Sequence, residues 1–209
     1  MKTTTTVTLA VALSISAALA LAADPPVAKP KAKPASQAGY RVGDKLAPNA
    51  TASAPAGTFK LTEWDALMPK GWDPMKGVNA ISFGMMRDGD PRATAALDKL
   101  KQAWDNAPTE PTMDNARVRI AGFVVPLDGE GETLREFLLV PYFGACIHTP
   151  PPPANQVIHV TLTTPTKGIR MMDAAWVSGQ LHVAVSDTGL GISGYRMDGV
   201  SVAPYDGKR

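Results

Sequence analysis

RVRIAGFVVPLDGEGETLREFLLV, residues 117–140, reads as a β-hairpin and sets the class of the fold. Val118 and Ile120, then Phe123 and Val125, recur with the period of a strand, and Gly122 marks a bulge or bend. LDGEGE is turn chemistry, and TLREFLLV is the returning strand. Working outward, NQVIHVTL (155–162) is a third strand, with Val157 and His159 on one face and Ile158 and Val160 on the other. AAWVSGQLHVAVS (174–186), bent at Gly179, and GISGYRMDGVSVAPY (191–205) supply a fourth and a fifth. Five short strands with glycine bends predict a mainly β (α+β) fold, a small OB-like Greek-key barrel, with a β-sandwich as the alternative.

Upstream the period changes. ATAALDKLKQAWDNA, residues 93–107, predicts a helix with Ala96, Leu97, Leu100 and Trp104 along an apolar stripe and Pro91 near its start. LTEWDALMP predicts a shorter helical turn, with Thr62 as N-cap and Pro69 and Gly71 ending it. Trp64 and Trp72 read as packing residues. Met75, Met85 and Met86 invite a thioether copper site, but their spacing is no repeated ligand motif and they read as core filler. One globular domain over residues 60–209 follows, its N-terminal helical extension at 61–110 and its barrel at 116–205.

Residues 23–59 are rich in Ala, Pro, Lys and Ser and too poor in large apolar side chains to offset ordering entropy, which predicts a disordered linker. Residues 1–22 carry a secretory signal pattern: Lys2, an apolar stretch from Val7 to Leu19, and Ala20-Leu21-Ala22 as cleavage site. The apolar stretch falls short of the ~20 residues of a spanning helix. A periplasmic protein without a membrane span is therefore expected. Of 21 basic side chains, cleavage removes Lys2, leaving 20 against 19 acidic ones. That balance argues against nucleic acid as partner.

The chemistry concentrates in VPYFGACIHTPPPPANQVIHV, residues 140–160, which hold the chain's one cysteine and two of its three histidines. In an extended segment Cys146 and His148 share a face, and one sulfur with one imidazole suits Zn(II), with copper next. Two ligands are too few, so His159 is the first candidate for a third. A two-fold dimer sharing two Cys-His pairs is another route. Asn155 and Gln156 are candidates to orient the imidazole. Tyr142 with Pro150, Pro151 and the rest of the proline run makes a rigid apolar loop fit for docking a protein partner. Thiol chemistry at Cys146 is a third reading, although no C-x-x-C supplies a resolving partner.

VPYFGACIHTPPPPANQ, with LTEWDALMPKGWDP, RVRIAGFVVPL, AAWVSGQL and YRMDGVSVAPY, resembles an uncharacterised bacterial exported-protein family, domain-of-unknown-function family 3299. The resemblance implies an envelope protein of mainly β structure and no established activity. The residues lean away from an enzyme: no acid/base pair, phosphate loop or nucleophile elbow stands out, and GLGISG (189–194) falls between strands as a turn. The expected function is metal handling through Cys146 and His148. The alternative is a non-enzymatic module of an exported transport or envelope complex, docking through FGACIHTPPPP onto a periplasmic or membrane-associated partner.

Overall fold

The computed structural model describes residues 39–46, 59–76, 90–128, 133–146, 149 and 151–206, all within the unit Lys33–Arg209. Its strands are β1 (Lys60–Leu61), β2 (Arg117–Pro126), β3 (Thr133–Val140), β4 (Ile158–Lys167), β5 (Ala174–Asp187) and β6 (Ile192–Pro204). Helix α1 spans Pro91–Asp105, between β1 and β2. The sheet runs β1-β2-β3-β4-β6-β5, and β2 pairs β5 to close it. Closure by seven residue pairs, from Arg117↔Gln180 to Phe123↔Ala174, makes a five-stranded barrel and removes the sandwich alternative. β4 and β6 run parallel while the other barrel pairings are antiparallel. Mixed order of this kind is OB-like.

Alternation along β2 explains how one strand serves two cores. Val118, Ile120 and Val124 point into the barrel, where they meet Phe137, Leu139, Ile158, Val160 and Tyr195. Phe123 and Val125 point outward into a second apolar layer with Leu138, Val140, Val157 and Met172. Tyr40, Leu46, Tyr142 and Phe143 pack against that layer from outside. Phe123 is fully buried and meets Tyr40 and Phe143 edge-on, at 5.1 and 5.6 Å between ring centroids. Offset and edge-on ring pairs add to the burial gain of ~1.5–3 kcal/mol for a side chain of this size.

Gly122 is needed for space, not for a bulge. A Cβ there would lie 2.7 Å from Leu139 Cγ and 2.9 Å from Val140 O, and the β2 pairings carry no register shift. The expected break at Gly179 is present, as a register shift between Ser178 and Gly179.

Several upstream expectations change. The turn after Thr62 is a four-residue 3-10 turn, Trp64–Leu67, with Glu63 at its N-cap, while the Thr62 hydroxyl donates to Lys60 O. Trp64 does pack, its indole N–H donating to Ala121 O at 2.7 Å. α1 begins two residues earlier than expected because Asp90 caps it, accepting from Arg92 N. It buries none of its residues, and Leu97 of the stripe is 54% exposed. Met75, expected as core filler, is 47% exposed, and Met85 and Met86 lie outside the described residues. Among the described residues no helix is long and apolar enough to cross a membrane.

Candidate functional site

Between β3 and β4, Tyr142, Phe143, Ala145, Cys146 and Val157 pack into the outer apolar layer. Thr149 donates from both its backbone N–H and its hydroxyl to Gly144 O. Cys146 itself has φ 63°, a left-handed turn conformation and not the extended one. The alternation that would put Cys146 and His148 on one face therefore does not apply at Cys146. His148 and Pro150 lie outside the described residues.

Cys146 is half-buried against the second apolar layer, and burial pushes its thiol up to about 11. A nucleophilic cysteine needs the reverse, a stabilised thiolate. Met172, also left-handed at φ 61°, brings a second sulfur to the same layer, where its Sδ accepts from Gly144 N at 3.2 Å. Tyr142 is half-buried nearby, its hydroxyl pKa raised by burial first and by Cys146 second. Pro151 packs on Gly191 in the β5–β6 turn: a Cβ on Gly191 would lie 2.9 Å from Pro151 Cβ and 3.9 Å from Cys146 Sγ.

The other expected ligands and their supports are engaged elsewhere. His159 Nε2 lies 2.6 Å from Glu136 Oε1 on the neighbouring strand. His182 is similarly held, 3.2 Å from Asp198. Asn155 and Gln156 form a buried 3-10 turn before β4 and are not part of the strand. Asn155 donates to Pro108 O, and Gln156 donates to Trp64 O and Asn155 O, so both amides tie upstream segments to the barrel. Asn155 Oδ1 is buried and has no hydrogen-bond partner among the described residues. Among the described residues no three His, Cys, Asp or Glu side chains come together as a metal cluster.

A different feature went unread in the sequence. A cleft of about 240 Å³ opens on the outside of the barrel, where β1, Pro141 and the ends of Lys45–Leu46 converge on β2 and β5. Trp64, Trp176, Leu46, Leu61 and Pro141 give it apolar walls, and Glu63, Asp65 and Lys45 bring charge. Trp176 is paired in register with Ala121, whose carbonyl receives the Trp64 indole, so the two indoles flank one point of the β2–β5 seam. Trp176 is itself fixed by Asp206, which accepts its N–H, and by the Arg119 guanidinium 5.0 Å from its ring. The signal was the Trp64–Trp176 pair, 112 positions apart in the chain and joined only by the pairing that closes the barrel.

A crystal structure of a DUF3299 family protein from Pseudomonas aeruginosa PAO1 is similar to this chain, with 31% sequence identity and a TM-score of 0.55. The match covers 73% of this chain and 100% of that one. No curated protein matches. A family profile described as "Protein of unknown function (DUF3299)" matches residues 64–204, which include the whole barrel and Trp64, and the chain belongs to that family.

Proposed function

We propose that this chain is an exported, non-enzymatic binding module that holds a partner in the cleft between Trp64 and Trp176. The observation that carries the reading is the cleft itself: two indoles, each locked by its own hydrogen bond, with the exposed carboxylates of Glu63 and Asp65 at the rim. Preformed apolar concavities with a few polar groups are where proteins take ligands. The FGACIHTPPPP loop is a poorer docking surface, because Tyr142 and Phe143 are spent on the second layer. Export follows from residues 1–22 and predicts a mature chain starting at Ala23, which intact mass measures.

The test compares capture of an envelope partner by the wild type, Leu61→Glu and Val200→Glu. Leu61 lines the cleft and is 46% exposed, whereas Val200 is 62% exposed and outside it. Exposed substitutions of this kind shift stability by only ~0.5 kcal/mol. Loss of capture in the first variant alone supports the reading, and equal capture by all three refutes it.

A second reading keeps a soft-metal site, zinc or copper, at Cys146 with His148. The neighbouring Met172 sulfur, packed in the same apolar layer as Cys146, favours it. His159 is not needed in this version. A metal must displace the thiol proton, and a rise from 9.0 to about 11 weakens apparent affinity about 100-fold at neutral pH. Elemental analysis of the mature protein beside Cys146→Ser tests it. Near-stoichiometric metal lost in the variant supports the site, half an equivalent assigns it to a two-fold dimer, and none in the parent removes it.

A further inference from the structure

We propose that the cleft takes a small zwitterion with an apolar side chain, the chemistry of a free aliphatic amino acid. The inference rests on the reading of the cleft as a binding site and names a ligand for it. The cleft divides its charge between two walls. Along the edge of β2 opposite β5, β1 pairs at Val118 and Arg119 and β3 pairs from Phe123 on, which leaves Ala121 in the gap between them. Glu63 and Asp65 follow β1 and stand on its side, while Lys45 is bridged to Tyr142 just past β3 and stands on the other. All three side chains are exposed, and among the described residues no ion pair joins them. Arg119, against the Trp176 ring, adds a second cation, so two cations stand with two carboxylates. Such a cleft complements a ligand that is neutral overall and carries its two charges apart.

The apolar parts of the cleft fit the side chain of such a ligand. Trp176 is 4% exposed and closes the floor, and Trp64, Leu46, Leu61 and Pro141 form the open apolar surface. The volume sets the size. About 240 Å³ holds about eight waters at ~30 Å³ each, close to the about nine non-hydrogen atoms of leucine. Drug-sized ligands take more room, ~300–1,000 Å³. The aromatic wall needs no ordering when a ligand arrives, because Trp64 donates to Ala121 O and Gln156 donates to the Trp64 carbonyl. The buried Asn155-Gln156 turn therefore supports that wall from behind.

The experiment titrates the mature chain with L-leucine and follows tryptophan emission, since two of the four tryptophans line the cleft. Leucinamide keeps only the positive charge of leucine, and isocaproate only the negative one. A saturable change is expected with leucine, at least ~tenfold weaker with either analogue, because each leaves one charged wall without its partner. Lys45→Gln should erase the preference for leucine over leucinamide. Glu63→Gln with Asp65→Gln should erase the preference over isocaproate. The substituted residues are exposed, so the variants fold, which circular dichroism checks. No saturable change, equal binding of leucine and the two analogues, or preferences that survive in the variants overturns the proposal. Concentration-dependent self-association abolished by Leu61→Glu also overturns it, by making a second copy of this chain the occupant. If leucine does not bind while Leu61→Glu still abolishes partner capture, the ligand class fails and the binding-module reading stands.

Discussion

Alkylation of Cys146 by iodoacetamide is expected to run about 100-fold slower at pH 8 than that of an exposed peptide cysteine. The reacting species is the thiolate. A thiol at its ordinary value of 9.0 is about one-tenth ionised at pH 8, and one pushed up to about 11 is about one-thousandth ionised. The cause is burial against the second apolar layer, with no cation among the described contacts to offset it. The rate, read by mass spectrometry, should climb about tenfold per pH unit from 7 to 10 with no plateau. The same displacement makes stability fall with pH. The folded chain holds this proton after the unfolded chain has lost it, so the contribution is complete below about pH 9 and disappears as pH rises toward 11. Because the thiol is partly exposed, about 1 kcal/mol is expected, not the ~2.7 that two full units would give. A rate plateau below pH 8 would refute the reasoning, since it would place a stabilised thiolate where we find a desolvated thiol.

Other substitutions probe the packing and the site. Phe123→Ala removes the ring at the centre of the outer layer and should cost ~3–5 kcal/mol, read from the urea midpoint. A loss below ~1 kcal/mol would mean the outer layer is not a second core. Gly191→Ala puts a Cβ 2.9 Å from the Pro151 ring, and ~1–3 kcal/mol of destabilisation is expected; a neutral result would contradict that contact. His159→Ala should leave any bound metal unchanged, because the imidazole is engaged by Glu136, and metal loss in that variant would restore it as a ligand.

The barrel was legible because strand alternation is local. TLREFLLV matches β3 to the residue, and the bend at Gly179 coincides with a register shift. What periodicity could not show is that β2 buries both faces: Phe123 and Val125 read as part of the core stripe, yet they serve an outer layer whose cover comes from residues 40–46 and 142–146. The same limit affected the candidate ligands. His159 reads as a free imidazole until β3 places Glu136 beside it, and Asn155 and Gln156 read as polar neighbours of His148 until Pro108 and Trp64 supply their acceptors. Cys146 and His148 share a face only on extended backbone, and a left-handed residue at Cys146 is rare for a side chain with a Cβ and carries no sequence mark. The cleft depends on the closing β2–β5 seam, a contact that no local pattern encodes.

Site-specific photocrosslinking in the cell envelope tests the binding-module account most directly. A photoreactive residue is placed at Glu63, on the cleft rim, and separately at Val200, outside it. The account predicts one discrete adduct from position 63, lost when Leu61→Glu is added, and none from position 200. Adducts of equal yield from both positions, or an adduct at 63 that survives Leu61→Glu, would contradict it.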